Sequence, residues 1–289
     1  METVLAVDIG GTKLAAGRVD AAGRLLARAV RATPVECDAE DLLALVLDAV
    51  AEVRAGDETA VGVGCGGPMA PGGDTVSPLN IPAWHEFPLR GRLVAHLSLP
   101  VHIDNDAKAL ALGEGWVGAA RGHRDFIGMV VSTGVGGGIV LDGRLLGGAA
   151  GNAGHIGHVI VEPEGRTCSC GAVGCLEAEA SGTAIAARTG QPAAEARPAE
   201  RERAGRLVGR AVASVANLLD LRLAVVAGSV ALGFGDDLFG PAQAEIDRSA
   251  RIGFSRGARI VPAGLGDEGP LVGASAVAWR ALGRDIGVA

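Results

Sequence analysis

Apolar residues in this chain fall into two kinds of stretch: short runs closed by glycine or polar turns, and longer segments with helical spacing. From Val4 to Thr33, VLAVDIGGTKLAAGRVDAAGRLLARAVRAT predicts three strands broken at Gly10-Gly11 and Ala22-Gly23. DAEDLLALVLDAVAEVRA then predicts a helix with Asp38 as its N-cap. TAVGVGC reads as a strand running into a glycine turn. LPVHIDNDAKALALGEGWVGA reads as a strand, an Asp-Asn-Asp corner and a helix.

A second cycle opens near Asp125, where DFIGMVVSTGVGGGIVLDGRLL repeats the strand, glycine turn, strand layout. Helical RAGRLVGRAVASVANLLDL follows, then RLAVVAGSVA as a strand and turn, and DDLFGPAQAEIDRSA as a helix. ARIVPAGL is a further strand and GPLVGASAVAWRALG a closing helix. Residues Thr189 to Arg203, rich in Pro, Ala and Glu, read as a loop or an irregular helix start. Two matched cycles imply a duplicated α/β architecture with a ligand cleft between the halves.

With 289 residues, 48% of them hydrophobic and 20% charged, the chain can bury a substantial core in one large or two ordinary domains. The 46 glycines and the scarcity of aromatics (3%) favour tight turns and close backbone approach over aromatic platforms. A net charge of -7 argues against a nucleic-acid surface, yet backbone N–H groups can still bind a phosphate. The N-terminus lacks a basic start followed by an apolar run, and no stretch reaches the ~18 apolar residues of a membrane span. A cytoplasmic location with reduced thiols is therefore expected.

Two glycine turns, DIGGTK (Asp8 to Lys13) and STGVGGG (Ser132 to Gly138), occupy matched places in the two cycles. Each is either a plain hairpin turn or an anion-binding nest of N–H groups, with Thr12 and Thr133 adding hydroxyl donors. Gly228-Ser229 follows a third strand in the same manner. Asp8 is placed to hold Mg²⁺ or its water shell. No P-loop pattern is present, and GVGCGG matches G-x-G-x-x-G without the helix that dinucleotide binding requires. In HIDNDAKALALGEG, a carboxylate at the strand end could accept a hydroxyl proton, or Asp104 or Asp106 could simply cap the helix.

Cys168, Cys170 and Cys175 lie close together, ten residues after His158. A reducing compartment disfavours a disulfide, and a C-x-x-C redox pair is absent. The four side chains make a plausible tetrahedral zinc set, although C-x-C-x₄-C differs from the usual paired spacing. Cys37 and Cys65 read as small buried hydrophobes.

Taken together, DIGGTK, STGVGGGIV, GVGCGGPM, LNIPAW, DNDAKALALGE and GHIGHVIVEPEGRTCSCGAVGCLE resemble motifs of the ROK family of bacterial sugar kinases and repressors, in the actin-like ATPase superfamily. The matches run nearly end to end. The resemblance implies a two-domain α/β actin-like ATPase (ribonuclease H-like) fold with the ligand cleft between the domains. Residues 1–105, plus 269–289, would form the smaller domain, and 106–268 the larger one with the zinc loop. It implies an ATP-dependent hexose 6-kinase, glucokinase-like, in which Asp106 takes the proton of the sugar 6-hydroxyl. Asn80, Asn105, His155, His158 and Glu177 would contact the sugar. Asp8, Gly10, Gly11, Thr12, Lys13, Thr133, Gly134 and Gly228 would surround Mg-ATP. His158, Cys168, Cys170 and Cys175 would hold structural Zn²⁺. The resemblance also implies a homo-oligomer, with neither nucleic acid nor membrane as partner.

The chain departs from the family pattern at two places. Where the family has E-x-G-H, this chain has HIGH, so His155 replaces a sugar-binding glutamate. A carboxylate accepts hydroxyl hydrogen bonds, whereas neutral imidazole accepts one and donates one. The alternative implied is an amino-sugar kinase, acting on kanosamine or an N-acetylhexosamine. His155 could also be an ordinary surface residue or a rival zinc ligand. Lys108 replaces a residue that is often neutral, and solvation is the expected fate of its charge. A repressor would carry a DNA-binding segment ahead of DIGGTK, for which residues 1–7 leave no room. A non-catalytic sugar-binding protein is the remaining reading.

Overall fold

A computed structural model describes residues 2–34 and 36–289. In chain order the elements are β1 Thr3–Ile9, β2 Lys13–Asp20, β3 Leu25–Ala32, α1 Ala39–Val53, β4 Glu58–Cys65, α2 Leu89–Leu97, β5 Val101–Asn105 and α3 Asp106–Trp116. They continue with β6 Phe126–Val131, β7 Val135–Leu141, β8 Arg144–Leu145, α4 Leu176–Ala180, α5 Gly182–Thr189 and α6 Pro198–Leu219. The last are β9 Leu223–Ala227, α7 Ser229–Phe234, α8 Asp236–Ser249, β10 Arg259–Pro262 and α9 Gly269–Ala281. These elements form two compact units. Unit 1 comprises Met1–Gly122, Gly143–Ala153 and Leu265–Ala289; unit 2 comprises His123–Asp142 and Gly154–Gly264.

The sheet of unit 1 has the order β3-β2-β1-β4-β5. The hairpins β1-β2 and β2-β3 are antiparallel, whereas β4 and β5 run parallel to β1 and to each other. Helix α1 starts where the Asp38 carboxylate accepts from the N–H of Asp41 at 2.7 Å. Its Leu42, Leu43, Val46, Ala49, Val50 and Val53 recur at helical spacing and are buried in one cluster with Leu5, Val7, Val61 and Val63 of the sheet. Each large side chain so buried contributes about 1.5–3 kcal/mol. Helix α9 brings Leu271 and Ala274 into a second cluster with Ala6, Ala15 and Val19. Such contact requires glycine in β4, because a side chain at Gly62 would overlap the carbonyl of Ala274. Helices α3 and α9 cross as closely, and a carbon added at Gly113 would lie 2.9 Å from the Gly273 nitrogen. Helix α3, which the sequence reading assigned to the large domain from its first residue, therefore packs with α9 in unit 1.

In unit 2 the strands follow the order β10-β9-β6-β7, with β6-β7 antiparallel and β6-β9 and β9-β10 parallel. This matches β5-β4-β1-β2 strand for strand. Helix α6 starts earlier than its pattern suggested. Pro198 stands in its first turn, where the missing N–H costs nothing, so residues 198–203 are regular helix rather than loop. Gly205 and Gly209 let α6 lie against the backbone of α8 at Leu238 and Ala242. Four helices had no clear signal in the sequence: α2, of 9 residues, α4, of 5, α5, of 8, and α7, of 6. Among the described residues no helix is long and apolar enough to cross a membrane.

Gly62→Ala should force β4 and α9 apart at a cost of at least about 1–3 kcal/mol, seen as a lower urea midpoint. An unchanged midpoint would contradict this account of the β4–α9 contact.

Candidate active site

Parallel pairing sets the acidic residues of unit 1 in register. Asp8 of β1 pairs with Gly64 of β4, which pairs with Asp104 of β5; Ile9, Cys65 and Asn105 form the next row. The C-terminal ends of three strands thus converge at one sheet edge, the usual ligand side of an α/β sheet. Gly64 lies within reach of both acids: a carbon at its Cβ position would be 3.6 Å from Asp8 Oδ1 and 3.5 Å from Asp106 Cα.

Charge is crowded at this edge. Burial first, and the Asp106 carboxylate second, push the Asp8 carboxyl up to about 7, with Lys13 and Arg28 opposing. Cys65 is fully buried, and burial together with the same two acids raises its thiol well above the usual range. This thiol is inert packing in character.

Asn105, rather than either neighbouring aspartate, caps α3: its Oδ1 accepts from the N–H of Ala107 at 3.1 Å. Asp106 Oδ1 accepts from the same N–H at 2.8 Å. Asp104 is held by two cations, Lys108 Nζ at 3.5 Å and Arg280 Nη2 at 3.6 Å. Lys108 is not solvated as expected. It is 4% exposed and donates to the Gly151 carbonyl at 2.7 Å. In the first glycine turn the Gly10 N–H bonds to the Lys13 carbonyl at 3.0 Å. Asn80 is exposed and its backbone lies against Gly11. Its loop is fastened by buried Trp84, which stacks on Phe87 at 4.8 Å and donates to the Ala39 carbonyl at 3.1 Å. As expected from GVGCGG, no α-helix follows β4 before Leu89.

In unit 2 the second glycine turn joins β6 to β7. The Ser132 and Thr133 carbonyls accept from the N–H groups of Gly182 and Thr183, at 2.7 and 3.3 Å, at the start of α5. The Ser132 and Ser229 hydroxyls are 2.9 Å apart. Gly228 has φ of 103° and packs against the backbone of Val131, so no side chain fits there. Val131 and Ser132 at the end of β6 thus meet Gly228 and Ser229 at the end of β9.

The cysteine loop is a small knuckle with bridges between Thr167 and Val173 and between Ile160 and Cys175. Cys170 and Cys175 Sγ are 3.7 Å apart, far beyond a disulfide bond of about 2.05 Å. His158 Nδ1 is 3.7 Å from Cys168 Sγ, and the four donor atoms all lie within 4.8 Å of one another. Ligands at the corners of a zinc tetrahedron stand about 3.4–3.8 Å apart, so the set fits such a cation. Burial pushes the Cys175 thiol up to about 12, and a bound cation would displace that proton. His155 lies outside the four-donor group; its ring centre is 6.0 Å from that of His158.

Cys175 precedes α4, whose Glu177 accepts from the Val135 N–H at 2.9 Å. Glu179, two residues on, was not anticipated. It is 2% exposed, accepts from the Arg166 N–H at 2.6 Å and pairs with Arg203. Although burial works the other way, the Arg166 N–H and the Arg203 guanidinium hold its carboxyl low. Its signal in the sequence was only an acid in an apolar setting.

The profile of the ROK family matches residues 4–281. The chain belongs to the ROK family. A glucokinase of Thermotoga maritima is 32% identical, with 97% of this chain and 98% of that one aligned. An N-acetylmannosamine kinase of Pasteurella multocida is 37% identical over 80% of this chain and 82% of its own length. Among solved structures, a ROK family glucokinase from Streptomyces griseus in complex with glucose and AMPPNP superimposes with a TM-score of 0.84. It is 34% identical and the match covers 94% of this chain and 98% of that one. The two mixed sheets of this ROK protein are those of the actin-like ATPase fold.

Three measurements check the site. The raised Asp8 carboxyl binds its proton more tightly folded than unfolded, so that stabilisation is complete below 3.8 and is lost as pH rises through about 7. Asp8→Asn should match the parent in urea near pH 4 and exceed it near pH 8, without added divalent cations; a pH-independent difference would contradict the assignment. Elemental analysis should find about one zinc per chain, as four ligands of one ion require. Cys175→Ser should lose affinity by more than the about 10–100-fold typical of removing an outer hydrogen-bond partner, read by chelator competition.

Proposed function

We propose that this protein is an ATP-dependent hexose 6-kinase of the glucokinase type. The observation that carries the reading is the position of Asp106, at the first turn of α3 and the end of β5, beside the half-buried Asp8, whose carboxyl it helps to raise. Phosphoryl transfer asks little covalent chemistry of the protein and much alignment and charge neutralisation. In the proposed reaction the sugar 6-oxygen attacks the γ-phosphorus and the bond to the β–γ bridging oxygen breaks. The hydroxyl proton passes to Asp106.

The remaining roles follow the chemistry of each position. His158 turns Nδ1 toward Cys168, which would leave Nε2 for a sugar hydroxyl. Glu177 commits one oxygen to Val135, and its other oxygen would accept from the sugar. Asn80 and Asn105 would supply further donors and acceptors. Gly10, Gly11, Thr12, Lys13, Thr133 and Gly134 would bind phosphates, and Gly228 would lie by the adenosine. Asp8 would hold Mg²⁺, and the crowding of two carboxylates there suits a divalent cation. That ion would supply charge neutralisation on the phosphates. Zn²⁺ held by His158, Cys168, Cys170 and Cys175 would be structural, since four protein ligands leave no open position.

His155 favours a second reading. Its imidazole both donates and accepts, which suits the amine or amide of an amino sugar, and an N-acetylmannosamine kinase is among the relatives.

A coupled assay across glucose, mannose, glucosamine, kanosamine, N-acetylglucosamine and N-acetylmannosamine decides the class. On the best substrate, Asp106→Asn should cut kcat by about 10²–10⁴ while calorimetry finds sugar affinity near that of the parent. Retained turnover would remove Asp106 as base.

A further inference from the structure

The chain passes between its two units four times, at 122/123, 142/143, 153/154 and 264/265. Within unit 1, three of the segments that border these passages are held by a single helix. Lys108 of α3 donates to Gly151, two residues before the passage at 153/154. Glu114 of α3 accepts through Oε2 from the N–H of Ala119 at 2.7 Å, three residues before Gly122. Through Oε1 it accepts from the N–H of Leu265 at 3.1 Å, the first residue after the return at 264/265. The other end of the 143–153 segment, at Gly143, is bonded instead by Ala289, whose N–H donates to the Gly143 carbonyl at 2.7 Å.

Lys108 and Glu114 are 4% and 0% exposed. Burying two charges on one helix is costly unless each is hydrogen-bonded. Here the bonds go to the backbone of those bordering segments, with Asp104 as the further partner of Lys108. Asp106 opens the same helix.

We propose that Lys108 and Glu114 are positioning residues that lock these bordering segments to α3. The helix that starts with Asp106 and the points where the chain leaves and re-enters unit 1 then behave as one body. Residues 151–153 lead directly into His155 and His158, so slack at Gly151 acts on sugar binding. This consequence rests on the kinase reading; the locking itself does not.

The test pairs amide hydrogen exchange with kinetics on the full chain, for Lys108→Met, Lys108→Arg and Glu114→Gln. In Lys108→Met, exchange of residues 148–153 should rise by about tenfold, the effect of losing one charge-assisted hydrogen bond, with β1 unchanged. The sugar KM should rise by a similar factor, while the ATP KM stays within about twofold. Lys108→Arg keeps the charge and the donors and should restore both. Glu114→Gln replaces one acceptor oxygen and should raise exchange at residues 119–122. Unchanged exchange in both Lys108→Met and Glu114→Gln would overturn the locking. Raised exchange with an unchanged sugar KM would overturn the positioning role. If the parent phosphorylates no sugar, the kinase reading fails, and the exchange measurements still decide the locking.

Discussion

Negative charge crowded at the half-buried ends of β1 and β5 is the constraint on which unit 1 depends. Asp8 and Asp106 stand close enough to raise the Asp8 carboxyl, and Cys65 beneath them answers to the same field. Folding places them there because three parallel strands share one register. Asp104, in the same row as Asp8, is neutralised by Lys108 and Arg280. The edge therefore carries one acid whose charge is matched within the protein and two that repel one another. A site of this kind gains from any cation or proton that arrives with a ligand.

Unit 2 is organised by a different device. The knuckle of His158, Cys168, Cys170 and Cys175 encloses a donor set for one metal ion, and α4 grows directly from its last cysteine. Glu177 fastens that helix to β7, and Glu179 fastens it to Arg166 in the knuckle and to Arg203 on α6. Metal ligands, sheet and helices are joined by carboxylates two residues apart. The donor cluster and the positions of His158 and Glu177 thus belong to one connected structure.

Much of this was legible in the sequence for physical reasons. Glycine turns between apolar runs located β1-β2 and β6-β7, because few other residues tolerate such turns. The Cys/His cluster was legible because three cysteines so closely spaced after a histidine form a recognisable pattern. The place of Asp106 between a short strand and a helix was legible, whereas its role rests on the family resemblance. The fate of Lys108 was not, since its partner Gly151 is 43 residues away and no local pattern encodes that contact. The cap of α3 was also misjudged: three polar residues in a row can each cap, and only the backbone path selects Asn105. Helices α4 and α5 escaped notice because they are short and lie between functional motifs, where glycine and charge mask the period. The close crossing of α3 and α9 depends on Gly113 and Gly273, which are 160 residues apart and look like ordinary helix-weakening residues until they meet.

The placement of α9 has a consequence for synthesis. Ala6, Ala15 and Val19 are synthesised long before Leu271 and Ala274 of the helix that covers them. Unit 2 lies almost wholly between these two stretches and can condense while unit 1 still shows an uncovered apolar face. Until residue 269 emerges, the nascent sheet of unit 1 therefore carries a sticky apolar face on one side.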